Sequence, residues 1–346
     1  MTSLFMRHKS FLLGCLFFTS CSLANADWNS FNSDVVNTQI IPGYERLQSS
    51  ASSLNKARVK FCRNKKDTQA YSSFKNSYAE FGVAWQAVQH IRFGPISYAK
   101  RDVSIQFWPD KKGYSGKRIH EFKKNTDIAL SEQEFPTSRF SIGALNVLER
   151  ILYSKEPIGN RSCELLALHT QNLLRISSEL AVEWKESMRK QFEDPRQLDG
   201  FFEDEIDAAT ALLKGAAENL EVISALKLLR PMGSSAKKAK FQRLEAWRSG
   251  LSLPFITENL DVSIAMIETL QKNIPNAELS STTSILESAK NRLMSINLPL
   301  AKAIKSNEQY RELKDIAQDL IHAHSELENT LTKMGIHLGF NSRDGD

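Results

Sequence analysis

Apolar residues recur at three- and four-residue intervals along most of the chain, and no segment alternates as a half-buried strand would. Phe74, Tyr78, Phe81, Trp85 and Val88 make one such stripe. Leu165, Leu168, Leu173, Ile176, Leu180 and Trp184 make another. A chain patterned this way can bury its apolar faces only by packing helix on helix. The aromatic ladder from Phe74 to Val88 reads as core packing rather than a cofactor box. Helices are expected over about 34–61, 67–93, 139–154 and 163–192, and again over 201–229, 255–272, 279–305 and 307–333. Pro42-Gly43 should break or kink the first, Asp67 should cap the second, and Gly94-Pro95 should stop it. Between 96 and 136 the period loosens into an irregular insertion. Phe107-Trp108-Pro109-Asp110 and Gly113-Tyr114-Ser115-Gly116 are turn material there, and Lys117 to Lys124 form a basic run that reads as a solvated face. Four helices lie on each side of Glu193-Asp194-Pro195-Arg196. The expected fold is therefore all-α, as two tandem antiparallel helical bundles spanning 27–194 and 195–346.

Residues 1–26 read as an export signal. Arg7, His8 and Lys9 give a basic start, Phe11 to Phe18 a short apolar core, and Ala24-Asn25-Ala26 a small-x-small cleavage site. That core is too short for a permanent membrane helix. The expected location is the periplasm, with an outer-membrane lipoprotein anchored at Cys21 as the alternative. Cleavage after Ala26 would remove one Arg and one Lys and lower the formal charge from +5 to +3, too weakly basic to suggest nucleic acid. Cys62 and Cys163 then remain. An even pair in an oxidising compartment is expected to bridge, the alternative being two buried thiols.

The chemistry centres on Arg139 to Ser154, after Pro136-Thr137-Ser138 with its ready hydroxyl cap. Ala144, Leu145, Leu148, Ile151 and Leu152 form one stripe, and Asn146, Glu149, Arg150 and Tyr153 the opposite side. Ile142 and Val147 fall off the stripe, so the helix should be buried on more than one face. Glu149 on such a helix needs a partner. Arg92, Arg230 and Arg248 are the candidates, because each begins or ends a helix.

The stretch resembles the signature of the imelysin family, periplasmic helical proteins linked to iron acquisition and once classed as metallopeptidases. The family's motif is Gly-x-His-x-x-Glu. Aligned on Glu149, its Gly position holds Ala144 and its His position Asn146, with Gly143 one residue early. Further likeness lies in Trp85 with Arg92-Phe93-Gly94-Pro95, in Arg161-Ser162-Cys163, in Lys227 to Gly233, in Glu245 to Ser252, and in the tail Gly339 to Asp346. The resemblance implies two helical bundles with a functional site near their interface, a periplasmic or outer-membrane setting, and a role in iron uptake.

The residues themselves support little catalysis. No HExxH occurs, and His90, His120, His169, His322, His324 and His337 are scattered. His322 with Glu326 and His324 with Glu328 read as exposed polar pairs on a terminal helix. Asn146 and Glu149 lie one helical turn apart and are a candidate metal pair, for iron or another divalent cation. Asn suits hard cations better than zinc or ferric iron. Arg248, Ser249 and Ser252 sit where a loop enters a helix. Their donors could hold an anion, or could cap the helix and meet a carboxylate across the bundle interface. Trp247 stands beside them. Asn341, Asp344 and Asp346 gather oxygens in the tail. No nucleophilic triad or phosphate loop is present. With the resemblance, the function implied is non-enzymatic assistance to iron or haem acquisition alongside an envelope uptake component. A hydrolase using Glu149, or an adaptor for an outer-membrane transporter, is the alternative.

Overall fold

The computed structural model describes residues 26–197 and 200–339. The signal segment up to Asn25 and the tail from Phe340 onward, which holds Asn341, Asp344 and Asp346, lie outside them. In chain order the helices are α1 (Trp28–Val35), α2 (Ile41–Arg63), α3 (Thr68–Val88), α4 (Arg101–Ile105), α5 (Tyr114–Lys124), α6 (Ala144–Leu152), α7 (Asn160–Glu183) and α8 (Arg189–Glu193). After Pro195 come α9 (Glu205–Glu221), α10 (Arg230–Met232), α11 (Ser252–Asn273), α12 (Ser280–Met294), α13 (Leu300–Ala303) and α14 (Asn307–Lys333). The described residues contain no strand.

Local chemistry sets these boundaries. Asp67 caps α3 as its sequence position suggests, its Oδ1 accepting from the Ala70 N–H at 2.9 Å. Pro42 does not break the first helix. The chain widens into a π turn over Val36–Ile40, and Pro42 falls in the first turn of α2. A wider turn tolerates a residue that cannot donate to the ladder. Further π turns join α7 to α8 over Trp184–Met188 and α9 to α10 over Val222–Leu229. The helix expected from Arg139 starts only at Ala144. Ser138 does not cap it; its hydroxyl donates to the Phe135 carbonyl at 2.8 Å, closing a short 3-10 turn. Ile142 lies before the helix and is exposed, whereas Val147 is buried.

α2, α3, α6 and α7 pack as the first bundle, and α9, α11, α12 and α14 as the second. The insertion between α3 and α6 carries α4 and α5, and α5 lies over α6 and α7. The bundles meet where α3 lies against α11. Gly82 allows this approach, because a Cβ there would sit 2.5 Å from Cζ of Phe255. One apolar core runs through both bundles, and within it Tyr44 stacks on Trp184 at 5.6 Å. We propose Pro195 as the boundary along the chain. α1 nonetheless packs on α9 and α11 of the second bundle. Asn32 donates to the Glu205 carbonyl at 2.8 Å, and Lys272 pairs with Asp34 at 2.8 Å. Cys62 and Cys163 form a disulfide that ties the end of α2 to the first turn of α7 across 101 residues.

Candidate functional site

α6 is preceded by Gly143, whose φ of +70° is left-handed and suits a residue without Cβ. Its N–H donates to the Val103 carbonyl at 2.9 Å, which fixes the start of the helix against α4. One turn in, Asn146 Oδ1 accepts from the Phe107 N–H at 3.0 Å and holds the insertion loop. Glu149 follows one turn later and is 6% exposed. Its partner comes from the other bundle, from the loop that precedes α11. Glu149 Oε1 accepts from the Arg248 N–H at 2.9 Å, the Ser249 N–H at 3.0 Å and the Ser249 hydroxyl at 2.9 Å. Oε2 lies 4.0 Å from Arg248 Nη1. The donors at 248–249, one candidate for holding an external anion, therefore hold this chain's own carboxylate.

Beside this clamp a cleft of about 500 Å³ opens between the bundles, lined by Trp108, Asp110, Lys111, Asn146, Glu149, Arg150, Arg230, Arg243, Trp247 and Arg248, among others. The Arg248 guanidinium stacks over Trp247 with its centre 4.2 Å from the ring centroid. Burial and the nearby Arg150 charge both pull the Arg248 pKa down, while Glu149 holds it up. Burial and the Glu149 charge push the Tyr78 hydroxyl well above its ordinary range, and push Tyr153 up to about 12. Asp110 accepts from the Tyr114 N–H at 2.7 Å and the Ser115 N–H at 3.0 Å, capping α5, with Arg150 Nη2 4.0 Å away.

The structure thus gathers Asn146, Glu149, Arg230, Trp247, Arg248 and Ser249 around one place, but not Arg92 or Ser252. Arg92 pairs with Asp102 at 3.2 Å. Ser252 turns inward, its buried hydroxyl donating to the Glu245 carbonyl. As a metal pair Asn146 and Glu149 are constrained, since the Asn oxygen and one Glu oxygen already accept hydrogen bonds from the protein. Among the described residues no group of three His, Cys, Asp or Glu side chains converges. His322 and His324 each lie 3.6 Å from their i+4 glutamates on α14.

Behind the cleft lies a buried polar network that sequence reasoning missed. Lys227 Nζ sits 2.7 Å from Glu245 Oε2, with the two side chains 2% and 4% exposed. Lys227 also donates to Gln86 Oε1 at 2.7 Å and to Asn259. Glu245 Oε1 accepts from Gln106 at 2.5 Å and from Gln86 at 3.2 Å. Gln106 in turn accepts from the Trp85 indole at 2.8 Å. Gln86 and Gln106 belong to the first bundle and Lys227, Glu245 and Asn259 to the second, so the network joins the two. Lys227 faces inward from the π turn, whose altered register defeats a count by 3.6 residues. Asp110 did carry a signal, as an acid shortly before the first turn of α5.

No curated protein matches the chain. Solved structures that share the fold include an imelysin-like protein from Psychrobacter arcticum 273-4 and a candidate iron-regulated protein A precursor from Parabacteroides distasonis ATCC 8503. The first is 15% identical with a TM-score of 0.75, over 90% of this chain and 97% of that one. The second is 16% identical with a TM-score of 0.70, over 88% and 94%. The family model for imelysin matches residues 40–327, a span that takes in α6, the Glu149 clamp and both bundles, and the chain belongs to the imelysin family.

Proposed function

We propose that this protein is a non-enzymatic member of its family that assists iron or haem acquisition in the cell envelope, holding a ligand or partner in the cleft between its bundles. The observation that carries this reading is the state of Glu149. Here one carboxylate oxygen accepts from three donors and the other faces a guanidinium. The acid is built to hold two bundles together at the edge of a cleft rather than to turn over substrate. The iron connection draws on the family and on the description of the Parabacteroides neighbour. The proposed setting is the periplasm, reached through the signal at residues 1–26, with a lipid anchor at Cys21 as the alternative. The proposed partner is an iron or haem uptake component of the envelope. No helix among the described residues is long and apolar enough to cross a membrane.

A strain lacking the protein should grow poorly when iron is limiting and supplied as a ferric salt or as haem, and the intact gene should restore growth. Equal growth with and without the protein on both sources would overturn the iron reading. Peptide hydrolysis by the purified chain, abolished in Glu149→Gln, would replace it with the hydrolase.

A further inference from the structure

The cleft carries an excess of positive charge that nothing in the described protein neutralises. Lys111, Arg150, Arg230, Arg243 and Arg248 line it, against only Asp110 and Glu149. Both carboxylates accept from backbone N–H groups, and their nearest guanidinium nitrogens stand off at 4.0 Å. Lys111, Arg230 and Arg243 pair with no carboxylate among the described residues. Like charges crowd as well, since the pKa of Arg248 is depressed first by burial and then by the neighbouring Arg150. A concave site lined by one sign of charge focuses its field and concentrates the opposite ion.

We propose that this cleft receives a small anion bearing two or more carboxylate or phosphate charges, gripped by the guanidinium groups of Arg150, Arg230, Arg243 and Arg248 that line it. The proposal rests on the reading of the cleft as the ligand site. Guanidinium forks match carboxylate and phosphate oxygens in pairs, which a point charge does not. A singly charged ion would leave most of these forks unmatched. The Arg248 fork is oriented in advance by its stack on Trp247. A volume of about 500 Å³ accommodates a small organic ligand and falls within the usual range for such pockets. Iron carried here would arrive as an anionic complex recognised through its chelating acid groups, leaving Asn146 and Glu149 to their structural bonds.

The test is titration calorimetry of the chain without its signal segment, at low salt, with citrate and with pyrophosphate as separate probes. Saturable binding of at least one, weakening as salt is added, is expected. Preference for citrate would assign the carboxylate class, and preference for pyrophosphate the phosphate class. The double variant Arg230→Ala/Arg243→Ala should lose affinity by at least about tenfold, as expected for removing charge-assisted bonds. Its melting temperature should hold, because neither side chain has a structural partner among the described residues. Failure of both probes to saturate, or undiminished binding by the double variant, would overturn the proposal. A growth defect on limiting iron alongside failed anion binding would sink this inference alone. Arginine-dependent anion binding without a growth defect would sink the iron reading and leave the inference standing.

Discussion

At the scale of the residue, Glu149 is a tether. Its Oε1 gathers three donors from the loop before α11, so replacing the side chain strands them near a half-buried arginine. Glu149→Gln keeps an acceptor oxygen but loses the charge, and should destabilise by about 1–2 kcal/mol. Glu149→Leu leaves the donors unsatisfied and Arg248 without its carboxylate, and should destabilise by about 3–5 kcal/mol in urea titrations. Equal stability of both variants would contradict the tether. Two histidines contribute to the response to acid. His90 Nδ1 and both nitrogens of His169 are buried without partners, and burial lowers the pKa values to about 4 and about 3. Each therefore binds its proton more readily in the unfolded chain. The stability that this provides is complete above pH 6.5 and is lost as pH falls towards those values. At about 1.4 kcal/mol per unit, the pair should remove on the order of 5 kcal/mol between pH 7 and pH 4. His169→Leu should flatten that dependence, as read from denaturant midpoints at several pH values.

At the scale of the element, positions where backbones come close are the sensitive ones. Gly82→Val would drive a side chain into Phe255 and part α3 from α11, costing about 1–3 kcal/mol or more by overpacking. Unchanged thermal unfolding would show that the α3–α11 seam gives way freely. Helices whose faces meet a core were legible, because burial of one face writes a period into the sequence: α11 and α14 are where the apolar spacing put them, and α3 starts where expected but ends at Val88, before Gly94-Pro95 can stop it. The start of α6 was not. Residues 139–143 carry helix-like apolar spacing but form turns that end in the left-handed Gly143, and a lone glycine does not announce its φ. The site was half legible for the same reason. That Glu149 needs a partner follows from its apolar neighbours. That the partner is mainly two backbone N–H groups and a hydroxyl, rather than an arginine, depends on how a distant loop turns.

At the scale of the whole molecule, a covalent link within the first bundle and a buried ion pair within the second reinforce what packing begins. The Cys62–Cys163 bridge closes a loop of about 100 residues, worth roughly 4–5 kcal/mol in the chain-entropy model. Cys62→Ser/Cys163→Ser should lower the denaturant midpoint accordingly, and a midpoint unaffected by reductant would argue against the link. Lys227 and Glu245 act as one unit where the second bundle meets Gln86 and Gln106 of the first. Lys227→Met alone should destabilise by about 3–5 kcal/mol through the unpaired Glu245, whereas Lys227→Met with Glu245→Gln should recover part of that loss. The first helix has a different consequence, one of timing. Trp28 to Val35 rests on α9 and α11, and its Asp34 meets Lys272, 238 positions later in the chain. A polypeptide delivered from its N terminus must keep that apolar face uncovered until most of its length has emerged. Contacts so remote in sequence slow a search for the native state and prolong exposure to sticking. The start of this chain is therefore where a holding chaperone would have the most to shield, and the last place where a half-made molecule would look finished.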